Sequence, residues 1–466
     1  MENIEAADYL LYSSYLGKNG LSSQIPVSLS EYCFYNEKDV RNYLAVLNTI
    51  PDLFRQMVEY EKTRCEAGMA PPDFAVKNTI EQIDRFLAGT KEDQLLLVTF
   101  KERIDSVPGL SQDQKKSYIK NNEALFNQVV VPAFESLKTT LASWETADPD
   151  HERLSRYDRG KEYYEFLLRA NTGTDKKPEE WIRFLEKQLK TMTSEMAALN
   201  RSTPDLYADY LAATPVIDDP EKILEDLKSA VSAEFPHIQD IPYVLKDLPS
   251  SLAGTSAAAF YLIPPIDIRD ENIIYINRLR LEDKELFSTL AHEGYPGHLF
   301  QTNYYMEQNP DPLRYLLGTP GYDEGWGTYA QLCSYNYMKF TDRDPEKTEL
   351  LRSLYRYNDL VALTLYSLSD LYVNYMDYDR DALAVYLSGY GIGKDNASAI
   401  YEYVVENPTT YLTYCTGYYE FQELKETCQK ELQEDFDIQK FHTLVLNCGS
   451  CPFDILKKRI LVLIRK

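Results

Sequence analysis

Histidine is scarce in this chain, with five in 466 residues, and tryptophan is scarcer at three. No window approaches eighteen consecutive apolar residues, which excludes a membrane-spanning helix. The start, "MENIEAADYLLYSSYLGKNG", lacks a basic segment followed by an apolar one, so no secretory leader is visible. The expected location is the cytoplasm, or outside the cell if the sequence is a trimmed piece. Basic residues are outnumbered, 49 against 73 acidic, for a net charge of -24 and a pI near 4.7. That balance argues against nucleic acid or an anionic membrane as the main partner and fits a solvated acidic surface. Seven cysteines, an odd number widely spread, give no disulfide framework. Cys448 and Cys451 have C-x-x-C spacing, but no second pair completes a zinc site and no strand–helix context marks a redox motif. Both are expected to be plain thiols.

What is present is mostly helical patterning. From 37 to 205 apolar residues recur at three- and four-residue spacing. "VRNYLAVLNTIPDLFRQMVEYEKTRCEAG" reads as a helical run ending at Gly68. "KSYIKNNEALFNQVVVPAFESLKTTLASWE" repeats the pattern, with Pro132 as a kink or a helix start. "KPEEWIRFLEKQLKTMTSEMAALN" opens with Pro178 ahead of acidic residues, a normal helix N-terminus. Between 240 and 278 the period changes: "IPYVLKDLP", "SAAAFYLIPP" and "NIIYINRL" are short β-prone runs bounded by Pro, Gly and Asp. Helical patterning returns at Asp283. The expected fold is mainly α, with a small sheet just upstream of the segment discussed next. An N-terminal helical lobe is expected over 1–205 and a second region over 206–466. No linker separates them, so one compact unit is expected.

Two of the five histidines fall in one heptad, "HEGYPGH", at 292–298. On a helix, H-E-x-x-H puts two imidazoles one turn apart for zinc and a Glu beside the metal-bound water. Here the spacing is two residues longer. An unbroken helix would separate His292 and His298 by about 6 × 100° and about 9 Å of rise, too far to share an ion. Pro296 cannot donate to the carbonyl of His292, and Gly297 tolerates dihedrals other residues resist. A break at Pro296–Gly297 would loop out the extra residues and let the rings converge. The bland reading is a Pro-kinked core helix with two satisfied histidines, and the heptad alone does not decide between them. Glu324, 26 residues past His298 (324 − 298), opens a helix-patterned run, as the third ligand does in zincins that use Glu. Two imidazoles, one carboxylate and an open position suit catalytic Zn²⁺.

The chain resembles the family called domain of unknown function 885, a zincin-like metallopeptidase group. The likeness rests on "SAAAFYLIPPIDIRDENIIYINRLRLEDKELFSTLAHEGYPGHLFQ", with its strands and its "HExxPGHxxQ"; on "DEGWGTYAQ", similar to "EGWxxYAE"; on "PTTYLTYCTGYYEFQELKE"; and on "FHTLVLNCGSCPFDIL". Together these cover roughly 205–466. The resemblance implies a helical zincin-like, gluzincin-type architecture with the small sheet next to the metal-binding helix. It implies zinc ligands His292, His298 and Glu324, general base Glu293, and Tyr414 as a donor to the oxyanion. Two positions depart from the family's pattern. Leu299 follows His298 where many members have a second His. In "DLYVN", Asp370 is kept but Asn374 stands where a His is common, and Asn cannot protonate near neutral pH.

The expected function is zinc-dependent hydrolysis of peptide bonds, by an oligopeptidase or a carboxypeptidase-like enzyme. The rival is a catalytically silent peptide-binding protein that keeps the fold. In the enzyme, Glu293 moves the proton and zinc plus a phenol hold the oxyanion. "IIYINR" at 273–278 is the expected edge strand for the peptide. Asp370 is a candidate to orient a ligand. Arg352 and Arg356, one turn apart, could clamp a substrate C-terminus, although a solvated face with Arg352 paired to Glu349 is the better reading. His151, His237 and His442 stand alone and read as structural.

Overall fold

Proline and glycine set many of the helix boundaries. The computed structural model describes residues 6–89, 93–213, 219–248, 258–265, 272–279, 283–340 and 344–465. They form two compact units: one running to Tyr163 and taking in Val405–Asn407, the other holding Tyr164–Asp247, Ala257–Val404 and Pro408–Lys466. The changeover falls at Tyr163–Tyr164. The helix Pro178–Ser202 belongs to the second unit, where it packs on the helix Pro345–Asn374.

The regular structure of the first unit, among its described residues, is all helical. The run read as continuous up to Gly68 is two helices, Glu37–Leu47 and Ile50–Glu66. Pro51, in the first turn of the second, has no N–H to continue the first one's ladder. Gly68, at φ +80°, then stops the chain in the left-handed region. Pro132 sits in the first turn of Val131–Leu141, which continues from Gln112–Leu125 through a π-helical turn, Phe126–Val130. The wider turn accommodates the missing donor. Val40, Tyr43, Leu47, Ile83, Phe100, Ile104, Val130 and Phe134 form the core. Phe54 meets Phe134 edge-on at 4.8 Å. One charged pair is also enclosed: Arg64 donates to Glu61 at 2.7 Å, and Glu61 further accepts from the Tyr15 N–H and the Ser14 hydroxyl. Such a pair is tolerable when the remaining lone pairs are satisfied.

The second unit contains the sheet and the heptad. Strands β1 (Tyr243–Asp247), β2 (Ala259–Leu262) and β3 (Asn272–Ile276) match the three β-prone runs. Their order is β1-β3-β2, with β3 parallel to β1 and antiparallel to β2. The expected edge strand, 273–278, is therefore the centre of the sheet. Both its flanks are paired, and β1 and β2 are the edges. Ile274 and Ile276 point into the core with Leu224, Leu290 and Phe300.

Of the helices after the sheet, five bear on the site: α1 (Asp283–Glu293), α2 (His298–Glu307), α3 (Pro320–Ser334), α4 (Pro345–Asn374) and α5 (Thr410–Leu432). Helices α3 and α5 approach closely because glycines face each other. A Cβ on Gly325 would lie 2.5 Å from the Cα of Gly417, and one on Gly417 would lie 2.0 Å from the carbonyl oxygen of Gly321. Close packing of α5 on α3 sets Tyr414 beside the residues of the heptad. Among the described residues no helix is long and apolar enough to cross a membrane.

Candidate metal centre

Helix α1 ends at Glu293 and α2 begins at His298, so the heptad is the break between them. Two interactions define its shape. The Trp326 indole donates to the carbonyl of Pro296 at 3.0 Å, tying the break to α3. Gly297 passes so close to His292 that any Cβ there would lie 1.7 Å from the His292 carbonyl oxygen. Only glycine fits that approach. The expected interruption at Pro296–Gly297 is present, and it brings the rings to a centroid distance of 4.7 Å at 82°. Leu299 is fully buried in the core, away from any ligand role.

Glu324 completes the cluster from α3. Its Oε2 lies 3.5 Å from Nε2 of His292 and 3.5 Å from Nε2 of His298. The three donor atoms all fall within 4.8 Å of one another. Gly327, one turn along α3, leaves the space the His292 ring occupies. A Cβ there would sit 2.6 Å from ring atoms Cε1 and Nε2. Nothing in the pattern of "EGWG" had singled out this second glycine.

Each imidazole is held from behind by a glutamine. His292 Nδ1 lies 3.2 Å from Oε1 of Gln331, whose amide nitrogen donates to Asp359 at 3.0 Å. His298 Nδ1 lies 3.3 Å from Oε1 of Gln301, whose amide nitrogen donates to Asp323 at 3.2 Å. An amide that donates to a carboxylate turns its oxygen to the ring. Nδ1 is then the ring donor, and the Nε2 lone pair is left for a metal. Both relays were missed in the sequence. Their spacing was visible: Gln301 is three residues past His298, and Gln331 is seven past Glu324, two turns along the same helix face.

The charges of the cluster act on one another. Burial alone would lower His298, but its hydrogen bond to Glu324 and the charges of Glu293 and Glu324 push it up to about 9. Glu324 is held well below the usual carboxylate range. Burial opposes this, and hydrogen bonds from both histidines outweigh it. Asp323 is pushed up to about 6 by burial, against the hydrogen bond from Ser450. The Tyr414 phenol is raised well above 10 by burial and then by Glu324 and Glu293, so it keeps its proton. Its ring lies 5.9 Å from that of His292, nearly parallel.

Glu293 accepts the N–H of Tyr261, in β2, at 2.7 Å. Asn277 donates to the carbonyl of Ala258, so Ala258 and Phe260 face β3 while the N–H of Tyr261 points outward. The outer edge of β2 therefore lies along the candidate base, which takes the Tyr261 N–H.

The remaining sequence candidates go elsewhere. Asp370 is fully buried and accepts from Tyr164 at 2.8 Å, from Asn374 at 3.0 Å and from the Thr409 N–H. It anchors the first turn of α5, the helix of Tyr414, and binds neither histidine. Asn374 also donates to the carbonyl of Val404. Arg352 donates to the carbonyl of Met338 and pairs with Glu349; Arg356 donates to the carbonyl of Leu332 and to Asn336. Together they tie down the end of α3 and its following turn. His151 and His237 are exposed. His442 is buried between Tyr329 and the carbonyl of Glu234, and burial lowers it to about 4. The thiols of Cys448 and Cys451 are free.

Over residues 4–460 the chain matches the family described as "Bacterial protein of unknown function (DUF885)", and it belongs to that family. No curated protein matches it. Among solved structures it is similar to one titled "putative lipoprotein" from Colwellia psychrerythraea, at 19% identity and a TM-score of 0.84 over 97% of this chain and 81% of that one. A second, from Shewanella oneidensis and titled "a putative lipoprotein of unknown function", aligns at 16% identity and a TM-score of 0.61 over 93% and 82%. At these identities the likeness shows the fold.

Proposed function

We propose that this member of the DUF885 family is a zinc-dependent peptidase with a zincin-like, gluzincin-type catalytic region. His292, His298 and Glu324 would hold one Zn²⁺, and Glu293 would be the general base. The observation that carries this reading is the convergence of two imidazoles and one carboxylate across a broken helix. Four-coordinate zinc with bonds of about 2.0–2.1 Å sets its donors roughly 3.4 Å apart. The 3.5 Å separations of Glu324 from both rings fit that donor set.

Zinc, when bound, would polarise the scissile carbonyl and acidify a water molecule. The rest is done by the chain. Gln331 and Gln301 hold both rings in the tautomer that ligates. Glu293 takes a proton from the attacking water and passes it to the leaving amine. Tyr414, protonated at neutral pH, donates to the developing oxyanion. The peptide pairs with the outer edge of β2 through the backbone groups flanking the Tyr261 N–H, which Glu293 holds.

Metal analysis and digestion of a peptide library, read by mass spectrometry, test the proposal. The expected result is one zinc per chain and cleavage that is lost in Glu293→Gln, with zinc retained and turnover down by roughly 10²–10⁴-fold. Cleavage at the parental rate by zinc-loaded Glu293→Gln would overturn the assignment of the base. Bound zinc with no cleavage of any peptide would favour the silent binder.

A further inference from the structure

A cavity of about 390 Å³ opens on the His292 side of the cluster. Its wall includes Gln331 and Tyr414, both in contact with the cluster, and Ser288 and Thr289, one turn ahead of His292 on α1. From there it extends along α4 past Leu360 and Leu363 to three tyrosines. These are ordered as an aromatic wall: Tyr411 lies 4.9 Å from Tyr366 and 4.8 Å from Tyr403, ring centre to ring centre, in tilted packing. Asp359 also lines the cavity, but its Oδ2 takes hydrogen bonds from Gln331 and Tyr335, which ties that atom to the His292 relay.

We infer that this cavity is the specificity pocket for a large aromatic side chain on the residue flanking the scissile bond. The inference rests on the peptidase reading and names its substrate class. Three observations support it. The pocket is continuous with the metal cluster through Gln331 and Tyr414, so a side chain in it belongs to a residue whose backbone lies at the cluster. Its size is within the range of sites that enclose small-molecule groups. Its far end presents the edges and faces of three rings, the surroundings in which another aromatic ring packs well at centroid distances of 4.5–7 Å. A small or charged side chain would leave the wall unfilled or desolvated without gain.

Filling the cavity tests this. Leu363 and Ala362 line it and are both partly exposed, so enlarging either leaves the core intact. Ala362→Trp and Leu363→Trp are made as independent variants, each checked for parental zinc content and thermal stability. Binding of zinc-directed hydroxamates of phenylalanine, lysine and glycine is measured by calorimetry beside the cleavage of matched peptides. The phenylalanine compound is expected to bind the parent at least about tenfold more tightly than the other two, and a folded Trp variant to lose that margin while keeping its affinity for the glycine compound. The margin should appear in the hydroxamate data even where no peptide is cleaved, which separates this inference from the peptidase reading. Equal affinity for the three compounds, tighter binding of the lysine compound, or a margin unchanged in both folded Trp variants would each overturn it.

Discussion

His292 and His298 are each backed by a glutamine and then an aspartate, yet the two relays are built over different distances. The His298 relay is local at its first link, with Gln301 one turn along the same helix. The His292 relay is long-range at its first link, reaching 39 residues to Gln331 on α3. The aspartates differ too. Asp323 is buried and pushed up to about 6, whereas Asp359 is half-buried and lines the cavity. Both histidines are thus held in one tautomer. The first link to His298 forms wherever α2 forms, and both links to His292 require α1, α3 and α4 to be packed.

Loss of a ring should have the largest effect and should be equal at the two positions. His292→Ala and His298→Ala are each expected to lower the zinc content from one per chain to near zero in dialysed protein. A variant that kept stoichiometric zinc would remove that ring from the donor set and dissolve the comparison.

Gly327→Ala should come next, and it acts on one side only. Its Cβ would stand 2.6 Å from the His292 ring, whose atoms are its three nearest neighbours. Zinc affinity is expected to fall by about 100-fold or more, measured by competition with a chelating dye. An affinity equal to the parent's would mean that the ring has room to shift, and that the fit of His292 against α3 does not set its position.

Replacing the glutamines sharpens the comparison further. Gln331→Leu and Gln301→Leu should each weaken zinc by the roughly 10–100-fold typical of groups that orient ligands from behind. Gln301→Leu should also lower thermal stability more, because it takes a donor from the more buried aspartate. Equal stabilities would show that the local relay is no more embedded than the distant one.

The two relays also mark how much the sequence disclosed. The strands, the period change at 240–278 and the helix break came through because each depends on nearby residues: alternation, Pro and Gly, and one turn of spacing. The convergence of His292 and His298 came through for a similar reason, since the extra two residues of the heptad made no sense on a straight helix. Position within the sheet did not, because which strand is central depends on pairing across gaps in sequence. β3 was expected at the edge and is in the middle. The break between Leu47 and Ile50 was missed because apolar spacing runs on through it, although Pro51 was in plain view. Gln331 and the role of Gly327 lie on a helix whose face toward His292 is fixed only by tertiary packing.

Asp370 supplies the control that the comparison needs, as a buried carboxylate with three donors and no histidine at the end of its chain. The sequence made it a candidate to orient a ligand. In the fold it holds Tyr164, Asn374 and the Thr409 N–H at the start of α5. Asp370→Ala should therefore leave zinc affinity within about twofold of the parent, while it strands buried donors and lowers stability by about 1–3 kcal/mol. Its titration gives a second readout. Burial raises the carboxyl from its ordinary value near 3.8 to about 7, with the hydrogen bonds from Asn374, Tyr164 and the Thr409 N–H opposing. The folded chain therefore keeps this proton over a range where the unfolded chain has lost it. The resulting contribution to stability is full below pH 4 and declines as the pH rises from about 4 to about 7. Between those limits the gap in melting temperature between parent and Asp370→Ala should narrow as the pH is raised. A gap that widened would place the proton on the other side of the balance, with Asp370 held charged in the fold. A loss of zinc affinity in Asp370→Ala beyond tenfold would return it to the ligand-orienting role the sequence suggested.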